Sequence, residues 1–198
     1  MTNSMIKTEK IILTDCDGVL LAWEGAFHDW MISKGFTKKE EAIYDISKTF
    51  GIPKSLGKKL VKEFNESAWM GFLPAFKDAR SGVAKLVEHG WQFKVITSLS
   101  LDPKAQMLRV SNLKNIFGKN VFVEVICLDT GADKDEAIAK FKDSGLWWIE
   151  DKPENAEAGL KYGLKPILIE HEHNKEHEED GIEYAFDWEE IYNIIERG

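Results

Sequence analysis

The run Ile11-Ile12-Leu13-Thr14, flanked by Lys10 and broken by Asp15-Cys16-Asp17-Gly18, constrains this chain more than any other stretch. A short apolar segment rich in β-branched residues reads as a buried strand. Its period of two starts Asp15 and Asp17 out on the same side at the carboxyl end. Two carboxylates that close repel unless a cation or a shared proton lies between them. The pattern points to a divalent metal at the carboxyl edge of a sheet, where open α/β sheets bind ligands. Asp-x-Asp-Gly is equally a plain turn, with glycine supplying a positive φ, so the rest of the chain has to decide.

At 198 residues the chain suits one well-cored domain with a small insertion. A net charge of −8 argues against a surface that tracks duplex nucleic acid, because such affinity comes mostly from Lys and Arg on phosphates. An anionic substrate then needs local positive charge or a metal. Cys16 and Cys127 lie inside apolar strand-like runs and read as reduced core residues, not as a disulfide. Met1–Lys7 has no secretory apolar region, and no apolar run approaches the roughly 18 residues of a membrane span. The expectation is a soluble, cytoplasmic protein with no membrane partner.

Trp23, Phe27, Trp30 and Met31 recur at helical spacing, giving a helix that closes near Gly35. Two further Lys/Glu-laced helices are expected from about Lys38 to Phe50 and from Pro53 to Phe64, divided by Gly51-Ile52-Pro53. No strand signal appears between Leu20 and Pro74. A helical interlude straight after a first strand reads as an inserted lid, so residues 20–75 are expected to form a cap, and residues 1–19 and 76–198 the core.

From Asp78 onward an α/β rhythm sets in. A helix ends at His89-Gly90 and a strand Phe93–Ile96 ends in Thr97-Ser98. Pro103 opens a helix that runs to Phe117-Gly118, followed by strand-like Val121 to Leu128. Lys134 stands at the start of a helix through Phe141, and the strand Leu146–Ile149 ends in Glu150-Asp151. Pro153 opens another helix before the strand Pro166–Ile169, and a last helix holds Trp188, Ile191, Ile194 and Ile195. Strands alternating with helices imply a doubly wound, Rossmann-like parallel sheet covered on both faces. Between Glu170 and Asp180, His171, His173 and His177 lie among many acids; a solvated loop is the stronger reading and a metal site at His173 and His177 the weaker.

Four polar sites thus follow in order: Asp15-x-Asp17, Thr97-Ser98, Lys134 and Glu150-Asp151. In a doubly wound sheet all gather at one edge. Together they supply a carboxylate nucleophile, a neighbouring acid/base, a hydroxyl for phosphate oxygens, an ammonium and a carboxylate for Mg²⁺, the parts of phosphoryl transfer through an aspartyl-phosphate.

On these motifs the chain resembles the haloacid dehalogenase superfamily, whose phosphatases carry the same four in the same order, with a helical cap after the first. The resemblance runs from Ile11 to about Ile169. It implies Asp15 as nucleophile and metal ligand, Asp17 as general acid/base that lends its backbone carbonyl to the metal, and Asp151 as a Mg²⁺ ligand. It implies that Thr97, or Ser98 beside it, binds the phosphate and that Lys134 holds nucleophile and phosphate together. Glu150 stands where many members have a second Asp. A phosphatase needs Asp17 to protonate the leaving alkoxide, whereas a dehalogenase has no use for it. Within the superfamily the 5'-nucleotidases and 5'(3')-deoxyribonucleotidases look most similar, having an aromatic residue where Trp23 stands and a paired Thr-Ser like Thr97-Ser98. Substrate-binding residues are then Trp23, Ser98 and Phe27, with Trp69 and Phe72 as weaker candidates, and the ligand is a small phosphorylated metabolite of nucleotide type. Rival readings are a phosphatase for sugar phosphates or polynucleotide 3'-phosphate ends, and a receiver-like phosphoacceptor module.

Overall fold

The computed structural model describes residues 10–40 and 45–198. Expectations for Met1–Lys7, and for part of the helix expected from Lys38, fall outside the described residues. Six strands form one sheet: β1 (Lys10–Thr14), β2 (Trp91–Ser98), β3 (Phe122–Leu128), β4 (Trp147–Glu150), β5 (Lys165–Ile169) and β6 (Glu183–Ala185). Their order is β3-β2-β1-β4-β5-β6, and every neighbouring pair is parallel. The chain steps outward from β1 to β3, then returns to lay β4 on the other side of β1. The order therefore reverses between β1 and β4, which opens a crevice at their carboxyl ends.

Alternation along β1 explains why the sheet is covered on both sides. Ile12 packs into one apolar cluster with Phe93, Val95, Ile149 and Ile167, while Ile11 and Leu13 pack into another with Ile96 and Trp148. The first cluster is closed by α4 (Ala79–Glu88), α5 (Pro103–Phe117) and α8 (Trp188–Arg197), the second by α6 (Asp135–Ile138) and α7 (Pro153–Lys161). Between β1 and α4 lie α1 (Trp23–Ser33), α2 (Ile46–Phe50) and α3 (Lys54–Asn65), with no strand among the described residues. The two ends of this helical segment run side by side: Ala22 N–H donates to Pro74 O at 2.9 Å and Phe76 N–H to Leu20 O at 2.8 Å.

Three expectations need correction. No helix begins at Lys38: Lys38–Glu40 is irregular, and α2 starts only at Ile46 because the Asp45 carboxylate caps it, accepting from Ser47 N–H at 2.9 Å and Lys48 N–H at 3.3 Å. The helix at Lys134 is a single turn that tightens further over Ala139–Phe141. The Glu170–Asp180 segment is not wholly solvated, since Asn174 is buried and bonds the carbonyls of Asp151 at 2.7 Å and Ile169 at 2.9 Å. The short edge strand β6 has no counterpart in the sequence reading, because Glu-Tyr-Ala carries too few residues for a period to register. No helix among the described residues is long and apolar enough to cross a membrane.

α4 approaches α8 at a glycine. A Cβ added to Gly82 of α4 would lie 2.5 Å from Trp188 Cβ and 3.1 Å from Trp188 O, whereas one added to Gly25 of α1 would meet nothing within 4 Å. Gly82→Ala is expected to cost roughly 1–3 kcal/mol by overpacking, against alanine's gain of about 1 kcal/mol in a helix. Gly25→Ala should leave stability unchanged or raise it. Urea unfolding of both variants checks this, and equal midpoints would overturn the packing account.

Candidate active site

β1 and β4 are neighbours, so their ends bring Asp15 and Glu150-Asp151 together. The Asp15 N–H donates to Ile149 O at 2.8 Å, prolonging the pairing by one residue. Lys134, delivered by the loop before α6, places its Nζ 2.6 Å from Asp15 Oδ1 and 2.5 Å from Glu150 Oε1, and all three side chains are buried. Glu150 is saturated. Its Oε1 also accepts from Asn155 Nδ2 at 2.8 Å, and its Oε2 accepts from the N–H groups of Asp151 at 2.8 Å and Lys152 at 3.0 Å. Asp151 is the reverse case, with Oδ1 buried and without a hydrogen-bond partner.

Burial pushes the Asp15 carboxyl up to about 6, against the pull of Lys134. Burial, with Glu150 and Asp15 close by, raises Asp151 well above the ordinary carboxylate range. Burial alone would raise Glu150 too, yet Lys134 and the Lys152 N–H hold it below its usual value. Burial works against the Lys134 ammonium, but Asp15 and Glu150 outweigh it and push its pKa up. Carboxylate oxygens of Asp15, Glu150 and Asp151 lie within 4.8 Å of one another. Because the oxygens of Glu150 are all engaged, those open to a cation belong to Asp15 and Asp151, a donor set suited to a hard ion such as Mg²⁺. Gly18 helps: at φ +78° it turns the loop onto Asp151, where a Cβ would run into the carboxylate.

Asp17 has a partner that the sequence reading missed. Arg109 of α5 is fully buried, and its guanidinium meets both carboxylate oxygens of Asp17: Nη1 contacts Oδ1, and Nη2 reaches Oδ2 at 3.0 Å. The same fork touches Cys16 Sγ at 2.9 Å and Met70 Sδ at 3.3 Å. Burial raises the Cys16 thiol far above its usual range, so it stands as a neutral neighbour and not as a nucleophile. Arg109 was detectable in principle as a charge on the buried face of α5, in line with Ala105, Asn112 and Leu113.

The other expected residues divide. Thr97 is buried with no partner for its Oγ1, while Ser98 donates its Oγ to Ala132 O at 2.7 Å. Both line a cleft of about 910 Å³, together with Asp15, Asp17, Lys134 and Asp151. Trp23 lines the side formed by the helical segment, held by an indole N–H bond to Asn65 Oδ1 at 2.9 Å. Phe27 does not line the cleft: it is fully buried behind Trp23, stacked on it at 4.8 Å, because α1 turns that side of its stripe into the core. Trp69 and Phe72 also lie outside the lining, and Phe72 is 82% exposed on a different groove. His171 and His173, read as loop residues, stand at the cleft instead. His171 Nε2 lies 2.8 Å from Gly18 O and His173 Nε2 3.2 Å from Asp151 O, whereas His177 points away to Glu157 at 2.9 Å. A shared His173–His177 metal site is therefore not formed.

No family model matches the chain. It is 24% identical over 193 residues to an uncharacterized 32.4 kDa protein of Enterobacteria phage T4, covering 93% of this chain and 69% of that protein. Among solved structures, a predicted phosphatase from Clostridium acetobutylicum superposes with a TM-score of 0.68 at 13% identity, covering 96% of this chain and 99% of the other. A haloacid dehalogenase-like family hydrolase from Streptococcus pneumoniae gives 0.66 at 13%, covering 94% and 98%. D,D-heptose 1,7-bisphosphate phosphatase from B. bronchiseptica, solved with magnesium and phosphate, gives 0.57 at 11%, covering 95% and 98%. The architecture built above from strand order and site geometry is thus the fold of the haloacid dehalogenase-like hydrolases.

Proposed function

We propose that this protein is a Mg²⁺-dependent phosphomonoester hydrolase working through phosphorylated Asp15, with (deoxy)nucleoside monophosphates as substrates and residues 20–75 as its lid. One observation carries the reading. In a single cleft, buried Asp15 is held by Lys134 next to an Asp151 oxygen and a Thr97 hydroxyl that have no partner of their own. Those groups await an anion and a cation. Asp15 and Asp151 would hold Mg²⁺ with the Asp17 carbonyl, and the ion, when bound, offsets charge on the transferring phosphoryl group.

The chain's own residues supply the steps. Lys134 holds the Asp15 carboxylate, one oxygen of which attacks phosphorus, breaking the bond to the ester oxygen. The Thr97 hydroxyl donates to a phosphoryl oxygen. Asp17 gives a proton to the departing alkoxide and afterwards takes one from the water that cleaves the acyl phosphate. To do so it must swing at least one oxygen off Arg109. A nucleotide reading is supported by Trp23 on the cleft wall. A sugar-phosphate reading is favoured by a different fact: one face of the Trp23 ring is already covered by Phe27 and its edge packs against Phe64 at 5.5 Å, as a structural ring would.

Asp15→Asn is expected to abolish Mg²⁺-dependent turnover of p-nitrophenyl phosphate, since an amide is neither nucleophile nor anionic ligand; retained turnover would sink the mechanism. Asp17→Ala should slow alkyl phosphates far more than that aryl ester, which departs without a proton. It should also lower stability by about 3–5 kcal/mol, because buried Arg109 loses its counter-charge, and adding Arg109→Met should restore part of that. Identical denaturation curves for the single and double variants would contradict the pairing. Trp23→Ala separates the substrate readings. If the ring stacks on a base, kcat/KM for a deoxynucleoside monophosphate falls roughly 5- to 150-fold while p-nitrophenyl phosphate is little affected. Equal losses on both would leave the sugar-phosphate reading in possession.

A further inference from the structure

The cap contributes more than a wall. α3 lines the cleft along a single face, and that face carries Lys54, Lys58 and Lys62. Spaced four apart, they stand one above the next over about 12 Å at roughly 1.5 Å per residue. Asn65 continues the same face inward. It is pinned between the Trp23 indole at 2.9 Å and Leu99 O at 2.9 Å, just past Thr97-Ser98. The lysine row thus begins at Lys62, about one turn along α3 from Asn65, and runs away from it to Lys54.

Such a row is unfavourable without an anion. Like charges at this spacing repel, and a chain of net charge −8 has carboxylates to spare for neutralising them. Yet Lys54 and Lys58 have no carboxylate at ion-pair distance among the described residues, and Lys62 has only Glu66 at 3.8 Å. Among the described residues, the acids on this side of the cleft are engaged elsewhere. Asp45 is spent on capping α2, and Glu24 lies 3.9 Å from His28.

We infer that the substrate is a phosphomonoester carrying at least one further phosphate, and that Lys54, Lys58 and Lys62 form the subsite receiving it. This rests on the phosphatase reading for what happens at Asp15, but not for the binding of the distal group. That chemistry occurs in a nucleoside bisphosphate and at the phosphorylated end of a short single strand. The first needs only the inner lysines; the second uses the whole row.

The test compares three probes at low salt: a deoxynucleoside 5'-monophosphate, its 3',5'-bisphosphate, and a 5'-phosphorylated trinucleotide. kcat/KM is measured on the wild-type protein, and Kd for the same probes on Asp15→Asn protein. Exposed ion pairs contribute little singly, so a preference of roughly 5- to 50-fold over the monophosphate is expected from the row together. It should shrink to about twofold or less in Lys58→Glu/Lys62→Glu, in the milder Lys58→Gln/Lys62→Gln, and in wild-type protein at about 1 M salt. Because each ratio is taken within one protein, partial misfolding cancels. A trinucleotide that outbinds the bisphosphate identifies a strand end, and parity between them a small molecule. Equal values for all three probes, or a preference that survives both lysine variants, would overturn the subsite. Should no probe, p-nitrophenyl phosphate included, be hydrolysed, the phosphatase reading falls while the Kd ratios still decide the subsite.

Discussion

Lys134 lies buried between Asp15 and Glu150, and much of the structure follows from keeping it there. Removing an ammonium from water is costly, and two carboxylates compensate only when they are held at hydrogen-bond distance. That requirement ties the end of β1 to the end of β4 and fixes where the chain may enter α6. Glu150 has to be saturated for the same reason. It spends its remaining capacity on Asn155 and two backbone N–H groups at the start of α7, so the charge cluster also sets the direction in which the chain leaves β4. With Lys134 neutralising one charge, the three carboxylates leave a deficit close to that of a divalent cation, and the two still short of partners are Asp15 and Asp151.

A second buried cation joins the helical segment to the rest of the chain. Arg109 reaches from α5 to Asp17 and also touches Met70, which sits in a short turn at Ala68–Gly71 near the end of that segment. One helical turn along, Asn112 donates to Leu73 O at 3.0 Å. On the other side of the cleft the Trp23–Asn65–Leu99 chain of hydrogen bonds does the same. The apolar core is likewise continuous from Phe27 and Phe64 in the helical segment to Ile12 and Trp188 around the sheet. Any movement of the segment must therefore carry these contacts with it or break them, and the side chain whose freedom depends on the outcome is Asp17.

Much of this was legible in the chain because the relevant signals are local. Pro103 starts α5 and Gly118 ends it where the sequence says, and the apolar runs at Ile11, Phe93 and Ile167 become strands whose alternate residues face two clusters. The four motif positions converge because each follows a strand or opens a helix in a sheet of one direction. What escaped depends on pairing across long separations. Arg109 gives no sign that its partner is Asp17, since the two are 92 positions apart in the sequence. Phe27 and Trp23 carry the same aromatic signal, yet α1 sends one to the cleft and buries the other. The His171–His173 loop looked solvated by composition, but a buried Asn174 pulls it down onto the carbonyls behind Asp151.

The electrostatics of the cleft follow from a division of labour between its two walls. The wall at the sheet ends carries Asp15, Asp17 and Asp151, and part of their charge is offset from inside, by Lys134 beside Asp15 and by Arg109 beside Asp17. Both cations are buried, so little of their charge projects to the rim. The wall formed by α3 has the opposite character, with exposed lysines along the face that lines the cleft. Exposed cations are screened and weak one by one, but along a concave wall their fields add and raise the local concentration of anions. In a protein that is acidic overall, the exposed positive charge along the cleft is therefore supplied by α3, while the sheet ends supply the carboxylates.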